Sequence, residues 1–464
     1  MWEGRGDSVH WGDSISLDVL NTHRRMCGGL LFGSSTEGSH RNNCSLCSPC
    51  KCAFMGKRTG INFNSSFDVF GSSTEASPFS LMSRRLMLIR GGAMSKFSGL
   101  GKGYHDMLEV LQNDEVKGWG HSTTLEYGST LDLSSVARVR NRWYSHPKRV
   151  AKHLKNPNAS DIALVTDQEQ SHLVPSHSNI PVGIYVHDFF HLFPTEEDFP
   201  EGKVSIGQRQ PSFIRKRDLK KLKQGLSRAD FFLCNSEATQ RCCQQFLPNT
   251  PAYVVAFPVN VQEYQFEEAK NMYPPQFDES KCNLLVVGSN EPRKRLKFLV
   301  KCLRNIESEI LQDIVIHHVG SNICPETGVA IDELAGNAGI QWLYHHGPID
   351  ESSLNCMRWN SEVLLFPSAA EGFGYPPLEA MMAGLPVLCS NYPAHNEFVP
   401  DEMCIDGKDV SLWVKQVKDI HQHWKQRDGP RQPLPLDSSL IKRFSKSTYC
   451  TTLSNTLNEV LKNS

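Results

Sequence analysis

The sequence predicts an α/β protein made of two doubly wound domains that face each other across a cleft. Three observations predict it. Short apolar runs of strand length alternate with stretches of helical spacing from Leu86 to Cys389, and such alternation calls for right-handed crossovers and parallel sheets covered by helices on both faces. The alternation occurs twice, with a break at Pro274-Pro275 between the two series. The length, 464 residues, fits two or three domains.

Residues 1–82 differ from the rest of the chain. They are rich in Ser, Gly and Asn and lack sustained apolar periodicity, so a disordered or loosely folded extension is expected there. In 83–272, Leu86–Arg90, Ala163–Thr166, Val182–Val186, Phe231–Cys234 and Val254–Phe257 read as buried strands. Gly91–Gly103 reads as a glycine-rich loop, with a helix starting near Tyr104 and a basic helix over Phe213–Ser227. In 273–464 the strands are Asn283–Val287, Asp313–Val319, Ile340–Tyr344, Val363–Phe366 and Pro386–Cys389. The helices between them are Lys294–Ile310, Val329–Ala338, Glu351–Trp359 and Tyr375–Ala383. The last helix of the chain is a candidate to cross back to the first domain. Ligands of open α/β sheets bind outside the carboxyl ends of the strands, so chemistry is expected in the cleft.

Composition narrows the partners. The formal net charge is −1, which gives no global attraction to nucleic acid. No apolar run approaches the ~20 residues of a membrane span. The 15 cysteines are scattered, several of them inside apolar runs, which suits a reducing compartment better than a disulfide framework. The N-terminus lacks the apolar stretch of a secretory signal. A cytoplasmic location is expected, with organelle targeting by the extension left open. Cys44, Cys47, Cys50 and Cys52 carry thiolates suited to zinc or an iron–sulfur cluster, but four ligands within nine residues would strain the chain around one metal, so no metal site is expected.

The strongest local signal runs from Glu371 to Glu379. A strand ends at Phe366, Gly372 and Gly374 permit close approach of backbone to a ligand, and Pro376 or Pro377 suits a first helical turn. Gly384, with Pro386 two residues on, stops the helix. A helix N-terminus after glycines offers free N–H groups to a phosphate. Two carboxylates cannot hold phosphate, but they accept hydrogen bonds from paired hydroxyls. A nucleotide sugar carries both kinds of group.

Two glutamates with seven residues between them, in the context Gly-Phe-Gly-x-Pro-x-Leu-Glu-Ala-Met-x-x-Gly-x-Pro-Val, resemble the donor motif of the family 4 (group 1) glycosyltransferases. These are retaining enzymes with two Rossmann-like domains, the GT-B fold. The resemblance runs from about residue 86 to the C-terminus and is strongest over 283–399. It implies that Glu379 holds the ribose and Glu371 the transferred sugar, with the amides of Phe373 and Gly374 facing sugar and phosphates. On spacing alone, Arg293, Lys294, Arg295 and Lys297 make a solvated helix face. The resemblance of Glu291-Pro-Arg-Lys294 to the family's segment gives Arg293 and Lys294 the role of stabilising the leaving phosphate. Ser289 departs from the family, which often carries Arg there.

In the first domain, Ser98–Tyr104 is not a Walker loop, since Lys102 is not followed by Ser or Thr. It resembles the family's first glycine-rich loop, which lies against the donor phosphates through Gly99 and Gly101. His187 follows a buried strand and resembles the family's His-Asp strand end, which implies contact with a sugar hydroxyl or help with a proton. His191 is secondary, and Asn235–Thr239 resembles the family's segment after its next strand, which implies that it orders the linker side of the cleft.

The expected function is a retaining transfer of a sugar from a nucleotide-diphosphate sugar to a glycan, lipid or small-molecule acceptor. No cofactor is expected, and no divalent metal is required. The competing readings are a catalytically silent binding protein of the same fold and another sugar-nucleotide enzyme such as an epimerase. The basic stretch Arg215–Lys223 suits peripheral contact with a lipid surface, although a solvated helix face is the simpler account.

Overall fold

The structure is a computed structural model that describes residues 84–92, 99–127, 134–259, 276–347 and 349–464. The expected N-terminal extension, its cysteine cluster and the break at Pro274-Pro275 lie outside the described residues. Both lobes of the molecule belong to one compact unit.

The first lobe runs β1 (Arg84–Ile89), α1 (Gly99–Gln112), β2 (Trp119–Leu125), α2 (Ser135–Arg140), a π-helical turn (Asn141–Ser145), α3 (His146–His153), β3 (Ile162–Val165), a 3-10 turn (Gln168–Leu173) and β4 (Val182–Val186). It continues through β5 (Thr195–Phe199), β6 (Gly202–Ile206), α4 (Phe213–Leu226), β7 (Phe231–Cys234), α5 (Glu237–Phe246) and β8 (Ala252–Val254). Its main sheet has the order β2-β1-β3-β4-β7-β8, and every pairing is parallel.

The second lobe runs β9 (Cys282–Val287), α6 (Leu296–Leu303), α7 (Ser308–Leu311), β10 (Ile314–Val319), α8 (Ile331–Gly336), β11 (Gln341–His345), α9 (Glu351–Asn360), β12 (Val363–Phe366), α10 (Tyr375–Met382), β13 (Val387–Ser390) and β14 (Cys404–Ile405). Three helices end the chain: α11 (Val410–Gln426), α12 (Ser438–Arg443) and α13 (Lys446–Asn463). Its sheet has the order β11-β10-β9-β12-β13-β14, also parallel throughout.

The central strands are legible because helices cover both faces of each sheet. Ile162–Val165, Val182–Val186, Phe231–Cys234 and Val363–Phe366 are buried at every position, which makes their sequences continuous apolar runs. The last helix, α13, buries Tyr449, Leu453, Leu457 and Val460 in the same core as Leu86, Leu88 and Met107. The C-terminus is thus packed on the first sheet.

Two expectations need correction, and one element was not expected at all. Helix α1 starts at Gly99, not near Tyr104. Its glycines lie inside the helix, and a Cβ on Gly103 would stand 2.5 Å from the Phe257 ring, so glycine lets α1 seat on that ring. The helix expected over 294–310 is broken into a 3-10 turn at Pro292–Lys294, α6 and α7. Arg295 supplies the first break by adopting a left-handed conformation, φ 55°. Finally, Pro200-Glu201 closes an antiparallel hairpin, β5–β6, that no apolar alternation announced.

Candidate active site

Strand order places the site. In the second sheet the order reverses between β9 and β12, and ligands of doubly wound sheets sit outside the carboxyl ends at that switch point. The segment after β9 carries Arg293 and Lys294, and the segment after β12 carries Ser368 and Glu371. Glu371 accepts from Lys294 Nζ at 2.6 Å, Arg293 Nη1 at 3.0 Å and Ser368 Oγ at 2.5 Å. The Arg293 main-chain carbonyl accepts from Ala369 N at 2.8 Å, so the two loops are tied by backbone as well as by charge. Burial alone would raise the Glu371 carboxyl, but Lys294 and Arg293 outweigh it and hold it down at about 2. Glu371 is therefore ionised throughout the neutral range.

Gly374 caps α10 with φ 104°, and two prolines follow in the first turn. A Cβ on Gly374 would stand 2.7 Å from the side chain of His395, so both backbone and space demand glycine. The amides of Phe373 and Gly374 donate to no acceptor among the described residues. They stand at the positive end of α10, where an anion is favoured.

Glu379, one turn into α10, is also held by two cations. Lys102 Nζ of α1 reaches it at 2.6 Å across the cleft, and Arg358 Nη2 of α9 at 2.5 Å. Burial opposes the ionised form, yet Arg358 and Lys102 together keep the Glu379 carboxyl below its ordinary value. Arg358 is itself buried and bonded to Glu351 and Asn355. Gly99 packs its Cα face on the Tyr375 ring, 3.6 Å from where a Cβ would stand, and Gly101 is buried in the first turn of α1. The glycines at the start of α1 thus bring Lys102 to Glu379.

His187 directly follows β4, at its carboxyl end. Its Nε2 lies 3.2 Å from the Thr166 carbonyl, which can only accept, so Nε2 carries the proton and Nδ1 presents a lone pair. The ring stacks on Phe257. Burial lowers its pKa to about 4 against the smaller opposing effect of the Thr166 carbonyl, so it is neutral at pH 7. The His187 carbonyl would be only 2.0 Å from a Cβ on Gly372; glycine there lets the two lobes touch. Ser236 Oγ and Thr239 Oγ1 donate to the Gly372 carbonyl at 2.7 and 3.2 Å, while Asn235 Nδ2 donates to the His187 carbonyl at 3.1 Å. The segment Asn235–Thr239 therefore fastens one lobe to the other. Glu397 adds to it by accepting from the amides of Glu237 and Ala238 at the start of α5. His191 is exposed.

Several residues at the cleft were missed from sequence. Asp188 is recessed beside Gly372 and Arg293; burial raises its carboxyl, and Arg293 opposes that. Asp106, one turn beyond Lys102, is raised to about 6 by burial, with Lys102 opposing. Arg295 and Glu201 form a buried pair at 2.6 and 2.9 Å that docks the β5–β6 hairpin on the second lobe. Only Asp188 carried a signal, its place directly after His187. Lys102 and Glu379 are 277 positions apart, and only the fold brings them together. Among the described residues no group of three or more His, Cys, Asp or Glu is placed to hold a metal ion. No described helix is long and apolar enough to cross a membrane.

Comparison with known proteins bears on the second lobe and on the fold. Residues 268–432 match the family model described as glycosyl transferases group 1, the stretch that contains both clamped glutamates. The chain is 28% identical to O-antigen chain mannosyltransferase B of Escherichia coli over 170 residues, 36% of this chain and 40% of that protein. The matched region thus spans less than half of that relative. The structure of sucrose-phosphate synthase from Thermosynechococcus elongatus superposes with a TM-score of 0.61 at 16% identity, covering 82% of this chain and all of the other. The Anabaena protein HepE, solved with UDP and glucose, superposes with a TM-score of 0.54 at 12% identity, covering 81% and 99%. The fold is GT-B: two Rossmann-like domains across a cleft.

Proposed function

We propose that this chain is a retaining glycosyltransferase that moves a sugar from a nucleoside-diphosphate sugar to an acceptor hydroxyl. The observation that carries the reading is the pair of buried carboxylates, Glu371 and Glu379, each clamped by two cations beside the N-terminus of α10. Each clamp holds one more positive than negative charge. Glu291 and Glu351, about half exposed and screened, offset part of this, as do Asp188 beside Arg293 and Asp106 beside Lys102. A diphosphate is drawn to such a site, and carboxylates kept ionised are ready acceptors for sugar and ribose hydroxyls.

In this reading Glu379 takes the ribose hydroxyls and Glu371 the transferred sugar. The bond between the anomeric carbon and the diphosphate oxygen breaks while the acceptor oxygen bonds the same face of that carbon. The acceptor's proton passes to the departing phosphate oxygen. Arg293, Lys294 and the amides of Phe373 and Gly374 stabilise the charge that builds there, which makes a divalent ion unnecessary. Neutral His187 orients a sugar hydroxyl through Nδ1. The acceptor is a glycan, a lipid or a small molecule; the enzyme works in the cytoplasm, with peripheral membrane contact on the first lobe.

A panel of nucleotide sugars, assayed for release of nucleoside diphosphate with and without a chelator, tests this. One donor is expected to be consumed equally well in both conditions. Binding of nucleoside diphosphate with no turnover of any donor would favour the silent binding protein.

A further inference from the structure

The charge of the chain is nearly balanced overall but not locally. Residues 134–155 carry seven Lys or Arg and no Asp or Glu, and residues 212–228 carry seven against a single acid, Asp218. The fold joins these two segments. Arg142 and Trp143 of the π-helical turn both bond the buried Asp218 of α4, at 2.9 Å each, and Lys221 lies over the rings of Trp143 and Tyr144. The lone acid is thus consumed internally, shared by Arg142 and Arg215. Lys148, Lys152, Lys216 and Lys220 are exposed and make no ion pair among the described residues.

The same surface exposes apolar side chains. Phe213 is 71% and Ile214 50% exposed at the first turn of α4, next to Lys216 and Arg217, and Tyr144 is 53% exposed. We infer that this face of the first lobe docks on an anionic lipid bilayer, with Phe213 and Ile214 entering the interface and the cations lying among lipid phosphates. A purely polyanionic partner would engage the cations but gain nothing from protruding Phe and Ile side chains. A bilayer rewards both, since apolar burial and attraction to anionic headgroups act together. The face also continues to the cleft. Arg142 donates to Gln170 and to the Glu169 carbonyl, and Arg215 pairs with Glu169, all just beyond the carboxyl end of β3. A bilayer docked here lies beside the first-lobe side of the cleft.

The test uses the full chain in flotation with vesicles of phosphatidylcholine alone or with about one-third phosphatidylserine. Binding is expected only to the anionic vesicles, and it should weaken as salt rises. The double variant Phe213→Ser, Ile214→Ser should reduce binding about tenfold without changing charge. Lys216→Glu with Lys220→Glu should reduce it by at least about tenfold. All four positions are exposed, so unchanged melting temperatures and unchanged nucleotide binding are expected of both variants; the outcome is thereby separate from the fate of the glycosyltransferase reading. The inference is overturned if the anionic vesicles are not bound, or if binding is indifferent to the serine substitutions. It is equally overturned if a single-stranded oligonucleotide binds more tightly than the vesicles and displaces them.

Discussion

At Glu371, one carboxylate serves both stability and charge. Its side chain is 8% exposed between Lys294 and Arg293, so its removal strands two cations in the cleft. Glu371→Gln is expected to lower transfer by about 100-fold or more, the usual cost of removing a charge-stabilising group, read as kcat on the preferred donor. The carboxyl is held at about 2 against an ordinary 4.5. Its stabilising contribution is full above about pH 4.5 and is lost as the pH falls toward 2. Thermal melts of Glu371→Gln should accordingly lose part of the wild-type dependence in that window. Buried His187 acts in the same sense at higher pH: its lowered pKa of about 4 makes stability fall as the pH drops from about 6.5 toward 4. At Glu379, Arg358→Ala leaves a buried carboxylate with Lys102 alone. Nucleoside diphosphate affinity should fall about tenfold by calorimetry, with a loss of stability of about 3–5 kcal/mol, as for breaking a buried pair.

Elements carry these groups, and the cleft depends on two of them meeting. The turn at Gly372 rests on the carbonyl of His187, where a Cβ would stand 2.0 Å away. Gly372→Ala must push the lobes apart at that point. It should cost about 1–3 kcal/mol in denaturant unfolding and abolish turnover, because His187 and Glu371 separate. The β5–β6 hairpin makes a second bridge through Glu201 and Arg295, whose side chain is 0% exposed. Glu201→Ala strands that guanidinium, and a loss of about 3–5 kcal/mol is expected.

The two bridges also show what a sequence can disclose. The turn at Gly372 was legible because strand end, glycines, prolines and helix stop fall within twenty residues. The hairpin was not, because Thr195-Glu-Glu-Asp-Phe199 is largely exposed and offers no apolar alternation. The split at Arg295 was hidden for a related reason: a left-handed arginine is unfavourable locally and is sustained here by a partner 94 positions away.

At the scale of the whole molecule, two parallel sheets of the same construction share one cleft, and each supplies half of it from the carboxyl ends of its strands. The two doubly wound domains were legible because parallel strands buried on both faces write themselves as apolar runs; the GT-B type was legible only through the resemblance of the Glu371–Glu379 motif. The pairing of the halves was not legible. Lys102 meeting Glu379, Asn235–Thr239 meeting Gly372 and α13 returning to the first sheet are all contacts between distant stretches of chain. They create the closed cleft in which the clamped glutamates are dry enough for their charge to matter.

The central claim is that this cleft takes a nucleotide sugar and transfers its sugar. It is tested most directly by incubating the wild-type chain and Glu371→Gln with the nucleotide-sugar panel and measuring nucleoside diphosphate release beside melting temperature. The expected result is turnover of at least one donor by the wild type, a loss of about 100-fold in the variant, and a melting temperature raised by the matching diphosphate. A wild-type chain that consumes no donor and shows no thermal shift with any nucleoside diphosphate at millimolar concentration would contradict it.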